Sequence, residues 1–231
     1  MSSLHILSGG AAQGLVHQLR GVIYNETGRA VEGQFGAVGL MRDQLLAGAP
    51  CDVLILTQAL IDELSAAGHV QPGSAVPLGV VRTGVAVKSG EPQPAVDTAD
   101  ALRAALTAAR GIYFPDPVKA TAGIHLMNVL RQLGIAGLVA GALRPYPNGA
   151  AAMLALAGAT EAGLIGCTQV TEILYTPGVQ LVGALPREFE LATVYTAAVA
   201  TKAEQPQAAR MMIELLAGPA AAQMRRSGGF E

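Results

Sequence analysis

Residues 111–130 read GIYFPDPVKATAGIHLMNVL, and this stretch indicates the fold class. The apolar triplet 112–114 predicts a short β-strand, which Asp116-Pro117 ends. From Thr121 onward, the spacing of the apolar residues predicts a helix with one inward face. That face consists of Ile124, Leu126, Met127 and Leu130. A strand followed directly by an amphipathic helix is the repeating unit of α/β proteins.

The turn between this strand and this helix, Ala120-Thr121-Ala122-Gly123, contains only small residues. The first N–H groups of a helix have no partner within it, and the helix dipole adds partial positive charge there. Such a turn can hold an anion. The same plan occurs at the start of the chain, where strand 4–7 leads through Ser8-Gly9-Gly10-Ala11-Ala12 into helix 13–27. We therefore expect one small ligand to be held by two turns, one in each of two lobes.

Length and composition limit the possible classes of protein. The chain has 231 residues, enough for one large domain or for two modest α/β lobes with their own cores. Its net charge of −2 gives no basic surface for nucleic acid, and no apolar run is long enough to span a membrane. Cys51 and Cys167 are predicted to be two buried thiols, with a disulfide between them as the alternative. No histidine or cysteine has the spacing of a metal site, so we expect neither metal nor cofactor.

The chain begins MSSLHILSGG and enters its first predicted strand at once. It lacks the basic n-region, the long apolar h-region and the A-x-A site of a secretory leader. We expect a cytoplasmic location for the chain as given, and a periplasmic one if a leader was removed from it.

Predicted strands and helices alternate through the first part of the chain, which indicates a doubly wound parallel sheet. Residues 144–149 are predicted to form a Pro/Gly-rich loop, and Cys167-Thr168-Gln169 is predicted to begin a helix. The predicted strands are 4–7, 30–35, 51–56, 78–87, 112–114, 162–166, 179–183 and 193–199. The predicted helices include 13–27, 40–47, 58–67, 99–108, 150–157, 206–217 and 219–227.

The two long β segments, near residues 80 and 195, are the predicted crossings between lobes. Lobe one is then 1–79 plus 196–231, and lobe two is 80–195. A chain that leaves a lobe and later returns to it forms a hinge. We expect the ligand in a cleft between the two lobes.

Several short motifs resemble those of one family. They are FGAVGL at 35–40, LLAGAPCDVLI at 45–55, Asp116-Pro117 followed by Ala122-Gly123, and LAGPAA at 216–221 before GGF. They resemble the molybdate-binding branch of the periplasmic solute-binding proteins, and the resemblance covers essentially the whole chain. It implies the type 2 periplasmic-binding-protein fold, with two doubly wound α/β lobes joined by two β crossings. It also implies a small anion as ligand, with a transporter permease as partner if a leader was removed.

Two positions depart from the pattern of that family. The two turns of lobe one carry serine hydroxyls in the oxyanion binders, and the matching positions here are Ala11 and Val38. Each lost donor to a charged ligand is worth about 1.5–3 kcal/mol, so the departure disfavours molybdate. The apolar Val38 implies instead a ligand with a carbon part.

One branch similar to these binders is the aconitate isomerases, which move a double bond within a tricarboxylate. That resemblance implies a protein that binds a small organic polycarboxylate and isomerises it by a proton shift. The alternative is a non-catalytic solute-binding protein of an ABC-type transporter, for an oxyanion or an organic anion. The oligomeric state stays open.

His125, Lys119 and Tyr146 are the catalytic candidates. An imidazole exchanges protons readily near neutral pH, which favours His125 as the base. The structural alternatives are a buried histidine with its own partner and an exposed loop lysine. Tight turns, N-caps and solvated charges are likewise alternatives to a binding role at the other positions. The ligand-binding candidates are Ser8, Gly9, Gly10, Ala11, Ala37, Val38, Thr57, Arg82, Thr121, Ala122, Gly123, Asn148, Cys167, Thr168 and Tyr195.

Overall fold

The computed structural model describes residues 3–231, which contain nine β-strands and nine α-helices. The strands are β1 (Leu4–Gly9), β2 (Val31–Gly36), β3 (Val53–Thr57), β4 (Val76–Lys88), β5 (Gly111–Pro115), β6 (Leu143–Tyr146), β7 (Leu164–Gln169), β8 (Val179–Ala184) and β9 (Ala192–Val199). The helices are α1 (Gln13–Thr27), α2 (Val38–Leu46), α3 (Gln58–Ala66), α4 (Ala99–Ala108), α5 (Thr121–Gln132), α6 (Gly149–Gly158), α7 (Val170–Tyr175), α8 (Pro206–Ala217) and α9 (Ala222–Ser227). The predicted α/β class is confirmed.

The chain divides into two compact units. Unit 1 contains the residues up to Val81 together with Thr193–Glu231, and unit 2 is Arg82–Ala192. The two boundaries fall inside the long strands β4 and β9. The boundaries predicted from the sequence were 79/80 and 195/196, within the same two β segments.

The sheet of unit 1 has the strand order β2-β1-β3-β9. Strand β1 pairs in parallel with β2 and β3, and β9 runs antiparallel to β3. Helix α1 ends at Gly28, whose φ of 67° lies in the left-handed region that glycine adopts without strain. Helix α8 buries the four residues that its spacing predicts: Ala209, Met212, Ile213 and Leu216. Because β1, β2 and β3 are parallel, their carboxyl ends meet at one edge of this sheet.

The sheet of unit 2 has the strand order β4-β7-β5-β6, and β8 pairs with β4. Strand β5 is parallel to β6 and β7, whereas β4 is antiparallel to β7 and β8. The carboxyl ends of β5, β6 and β7 consequently share one edge. The candidate residues of this unit that follow β5, β6 and β7 lie along that edge.

Two predicted boundaries in unit 2 are wrong. Residues 143–146, which include part of the predicted loop, form the strand β6. Pro145 has no N–H to donate, but β6 is the last strand in the order and pairs on one side only, where proline is tolerated. Cys167 and Thr168 do not begin a helix, because they pair with Val85 and Gly84 inside the ladder of β7 and β4.

Helix α5 begins as predicted but differs in detail. Its N-cap is Ala120, and no side chain caps it. Ile124 is 42% exposed, so its predicted inward position is wrong. The buried face turns slightly around the helix because the small residues of the first turn pack closely on the sheet. It consists of Ala122, Gly123, Leu126, Val129 and Leu130.

The two cysteines are free and buried, as predicted. Burial raises the pKa of each thiol to about 12, so neither is a thiolate at neutral pH. Within residues 3–231, no helix combines the length and the apolar character needed to cross a membrane.

Candidate functional site

The first candidate region lies at the carboxyl ends of the parallel strands of unit 1. Ser8 and Gly9 end β1, and Gly9 is in register with Gly36 at the end of β2. Thr57 ends β3 and lies opposite Tyr195 of β9. The carboxyl edge of such a sheet is where α/β proteins commonly bind ligands. The structure thus brings together candidates from three separate segments of the sequence.

Gly9 lies at the centre of this edge and is covered by two side chains. A Cβ added to Gly9 would come 2.7 Å from Cγ1 of Val38 and 2.9 Å from Cε1 of Tyr195. Both covering residues are buried. Gly9 therefore has to lack a side chain, because carbon atoms of Val38 and Tyr195 pack directly on its backbone.

Small residues also form the beginning of the first helix. Gly10–Ala12 make one 3₁₀ turn before α1, and no side chain caps either helical segment. Ala11 is buried, as are Ala37 and Val38 at the start of α2. The unit 1 edge therefore combines main-chain groups with an apolar surface of alanine, valine and tyrosine.

The two hydroxyl candidates of this edge have local partners. The Ser8 hydroxyl donates to the carbonyl of Gly9 over 2.8 Å, which uses its one proton. The Thr57 hydroxyl caps α3 by accepting from the N–H of Leu60. Both contacts correspond to the structural alternatives for these residues.

In unit 2, the first turn of α5 presses directly on the end of β5. A Cβ added to Gly123 would overlap the main-chain carbonyls of Pro115 and Asp116. The Asp116 carboxylate accepts from the N–H groups of Val118 and Lys119, over 2.7 and 2.9 Å. The Lys119 side chain is exposed. The small residues of this turn therefore have a packing role, and they leave the start of α5 without a side-chain cap.

His125 lies one turn into α5 and is half-buried. Its Nε2 is 2.8 Å from the carbonyl oxygen of Phe189. A carbonyl oxygen can only accept, so this contact assigns the ring proton of the neutral imidazole to Nε2. Nδ1 is then the nitrogen that can take up a proton.

Tyr146 ends β6 and stacks on Tyr113, with ring centroids 5.7 Å apart and an angle of 14° between the planes. Burial raises the pKa of Tyr113. Arg82, one of the ligand-binding candidates, forms an ion pair with Glu190. A ligand carboxylate at Arg82 would have to compete with Glu190.

A buried carboxylate, that of Glu172, binds several groups at the end of β7, and the sequence did not predict it as a site residue. Thr168 donates to Oε2 of Glu172 over 2.5 Å, and the main-chain N–H groups of Gly149, Ala150 and Gln169 also bond to this carboxylate. Burial raises the pKa of Glu172 above its ordinary value of 4.5, and these hydrogen bonds act in the opposite direction. The spacing of Thr168 and Glu172, four residues apart at a strand-to-helix junction, is the signal that could have indicated the pair.

Asn148 caps the same helix start. Its Oδ1 accepts from the N–H of Ala151 over 2.8 Å, which makes it the N-cap of α6. With Glu172 bound to the preceding N–H groups, the first turn of α6 is filled by side chains of the protein itself. Asn148 and Thr168 therefore have structural partners, and the thiol of Cys167 is buried and protonated.

A second buried polar pair was also missed, on the other side of β7. Thr83 of β4 lies directly opposite Gln169 of β7. In the described part of the chain, neither the Thr83 hydroxyl nor the Gln169 amide has a hydrogen-bond partner.

A cavity of about 380 Å³ lies at the opposite, amino edge of the unit 1 sheet, where His5, Asp52 and His69 are among its lining residues. The Asp52 carboxylate accepts from the N–H groups of His5 and Gln205, each over 2.8 Å. Its role there is structural. Across residues 3–231 there is no group of three or more histidine, cysteine and acidic residues that could hold a metal ion.

Comparison with known proteins assigns the chain to one family. The family model of the bacterial extracellular solute-binding proteins matches residues 4–231. The chain belongs to this family. This solute-binding protein is 27% identical over 242 residues to an aconitate isomerase from a Pseudomonas species, an alignment that covers 100% of the chain and 88% of the relative.

Solved structures similar to this solute-binding protein have the same fold. The periplasmic molybdate-binding protein of Azotobacter vinelandii matches with a TM-score of 0.81 and 20% identity, over 99% of each chain. The sulfate-binding protein of Mycobacterium tuberculosis matches with a TM-score of 0.77 and 18% identity, over 100% of this chain and 86% of the other. The periplasmic-binding-protein fold predicted from the motifs is confirmed.

Proposed function

We propose that this solute-binding protein binds a small organic polycarboxylate and isomerises it by a proton shift. The observation that carries the proposal is the unit 1 edge, where Val38 and Tyr195 pack over Gly9 and Ala11 stands at the turn. An oxyanion such as molybdate would find carbon where it needs hydroxyl donors. An organic acid has a carbon chain that can pack against this surface.

Main-chain donors provide the complementary contacts. A carboxylate only accepts hydrogen bonds, and the starts of uncapped helices offer N–H groups together with the positive end of the helix dipole. Residues 10–12 and 121–123 are such starts. The whole-length likeness to the Pseudomonas aconitate isomerase supports a ligand of the tricarboxylate class.

The proposed reaction moves one proton across an allylic unit. A C–H bond next to a carboxylate breaks, its proton goes to the base, and the electron pair spreads over the three-carbon unit. The same base returns the proton to the carbon two positions away, so the double bond moves by one position and no redox partner is needed. Nδ1 of His125 is the proposed base, and main-chain donors stabilise the negative charge that develops on the carboxylate. Lys119 and Tyr146 are the rivals for the base.

A binding panel tests the ligand class. The panel contains cis-aconitate, trans-aconitate and tricarballylate on one side, and molybdate, tungstate and sulfate on the other. A ligand at 100 times its Kd adds about 2.7 kcal/mol to the free energy of unfolding, which a thermal shift detects. We expect the organic acids to stabilise the protein more than the oxyanions do. Stabilisation by the oxyanions alone would contradict the proposal.

The activity is tested by incubating the protein with each aconitate isomer and following the other by NMR. His125→Asn should lower kcat by about 10²–10⁴-fold and leave substrate affinity nearly unchanged. His69→Asn is the matched control, because His69 lines the cavity at the amino edge of unit 1. Normal turnover by His125→Asn moves the test to Lys119→Met and Tyr146→Phe. Absence of interconversion by the unmodified protein would refute the enzymatic part.

A non-catalytic solute-binding protein is the second candidate, and the fold favours it, since the similar structures include a molybdate-binding and a sulfate-binding protein. The same panel separates the two. Tight binding of one ligand without any interconversion supports the binder.

A further inference from the structure

The carboxyl end of β7 carries two successive polar side chains on opposite faces of the unit 2 sheet. Thr168 donates to Glu172 on the face that the start of α6 contacts. Gln169 points to the other face, because successive side chains of a strand alternate. Gln169 is 3% exposed, and neither its amide oxygen nor its amide nitrogen has a partner among residues 3–231.

The hydroxyl of Thr83 also lacks a hydrogen-bond partner among the described residues. It lies directly opposite Gln169 in the antiparallel ladder of β4 and β7, so the two side chains are on the same face. Thr83 is 1% exposed, and its hydroxyl has no partner within the described chain. Native proteins leave few buried polar atoms unsatisfied, and each such group calls for an explanation.

The face that carries Gln169 is the one on which α5 packs. Ile165 and Cys167 precede Gln169 on the same side of β7, and they share a core cluster with Leu126 of α5. Strand β5 is the neighbour of β7, and Gly123 in the first turn of α5 rests on the end of β5. The Gln169 amide therefore lies at the edge of the sheet where the uncapped start of α5 is found.

We propose that the Gln169 amide, supported by Thr83 and flanked by the first turn of α5, is a binding subsite for one carboxylate of the ligand. This inference rests on the proposed function, because it needs an organic acid as ligand. Thr83 lies directly opposite Gln169 in the ladder, and its hydroxyl, which forms no bond to the amide, is a second hydrogen-bonding group beside it. The two N–H groups of the amide are then directed to the carboxylate, which only accepts.

Gln169→Met tests this subsite in the full chain, because methionine keeps the length of the side chain and removes the amide. The Kd for tricarballylate and for cis-aconitate is measured by calorimetry, and the free energy of unfolding by urea titration. We expect binding about 10- to 100-fold weaker, the cost of losing a hydrogen bond to a charged group. Folding stability should be unchanged or higher, because a buried amide without a partner has been removed.

Gln180→Met is the matched control in the same unit. The Gln180 amide already donates to the carbonyl of Glu91 over 3.1 Å. This variant should lose stability and keep its affinity, the reverse of Gln169→Met. Gln169→Glu places a negative charge at the subsite and should weaken binding more than Gln169→Met does. If Gln169→Met does not fold, Gln169→Asn, which withdraws the amide by one methylene, is expected to weaken binding in the same sense.

The outcomes separate this inference from the proposed function. Wild-type protein that binds none of the acids overturns both. If the wild-type protein binds the acids and Gln169→Met binds them with unchanged affinity, the subsite alone is overturned. The Gln169 amide is then a buried group of the core without a role in binding. Weaker binding with undiminished stability supports the subsite.

Discussion

The two faces of β7 at its carboxyl end bury polar side chains in opposite ways. On one face, the carboxylate of Glu172 receives hydrogen bonds from Thr168 and from the main chain at Gly149, Ala150 and Gln169. On the other, Gln169 and Thr83 are equally buried and have no side-chain hydrogen bonds within the described residues.

The difference separates a group that holds the fold from one that is available to a ligand. A buried polar group left without a partner costs about 1–3 kcal/mol, whereas a hydrogen bond to a charged group contributes about 1.5–3 kcal/mol. The Glu172 cluster joins the start of α6 to the end of β7 and stabilises unit 2. We expect the unpartnered Thr83 and Gln169 to lower the stability of the unliganded protein, as a group kept for ligand binding would.

Gly149→Ala should have the largest effect on this comparison. Its Cβ would overlap both the Glu172 carboxylate and the Thr168 hydroxyl. Overpacking costs about 1–3 kcal/mol, and displacing a buried carboxylate from its donors adds a similar amount. We expect the free energy of unfolding to fall by about 3–5 kcal/mol, measured by urea titration.

Gly158→Ala is the control at the other end of α6. Apart from the adjacent residues and the backbone of α6 itself, no described atom lies within 4 Å of a Cβ added there. Alanine in place of glycine in a helix is then neutral or stabilising by up to about 1 kcal/mol. Equal stability of Gly149→Ala and Gly158→Ala would show that Glu172 and its hydrogen-bond donors accommodate the added methyl group without loss of stability. The contrast between the two faces would then be removed.

Thr168→Val and Thr83→Val compare the faces directly. Both threonines are buried, at 0% and 1% exposure, and both changes replace a hydroxyl by a methyl group. Thr168→Val should lower the free energy of unfolding by about 1.5–3 kcal/mol, because Glu172 loses a donor. Thr83→Val should leave it unchanged or raise it slightly, since an unpartnered hydroxyl is removed. Similar losses in both variants would mean that the Thr83 hydroxyl has a partner in solution.

The sequence predicted the fold well where apolar spacing and helix signals agree. Helix α4, with Thr98 as its N-cap, and helix α8 begin and end at the predicted residues. It failed at β6, because Pro145 was taken as a loop signal, and an edge strand tolerates proline. It also failed at the end of β7, because small and polar residues in a fully buried strand look like the start of a helix.

The site was predicted less completely, for a physical reason. Small residues mark a turn but do not tell whether they serve a ligand or close packing, and Gly123 serves packing on β5. Contacts across the chain, such as Val38 and Tyr195 over Gly9, follow from strand order, which local spacing does not encode. Glu172 and Gln169 were missed because a buried polar residue is recognisable only once its burial is known.

The smallest expected effect is a pH dependence that isolates Glu172. Burial holds the pKa of this carboxyl above its ordinary value of 4.5 in the folded protein. The folded state therefore binds the proton more tightly than the unfolded state. The stability that the proton provides is complete below 4.5 and is lost as the pH rises through the pKa of the folded protein.

Glu172→Gln removes this titration, so it serves as the reference at every pH. The free energy of unfolding of the wild type minus that of Glu172→Gln should fall as the pH rises above 4.5, by at most about 1.4 kcal/mol per pH unit. Urea titrations at four pH values measure the difference. A difference that rises with pH would mean that the donors around the carboxylate outweigh its burial. The hydrogen bonds to Glu172 would then stabilise its carboxylate more than the raised pKa indicates. The contrast with Gln169 and Thr83, which have no such bonds in the described chain, would be larger still.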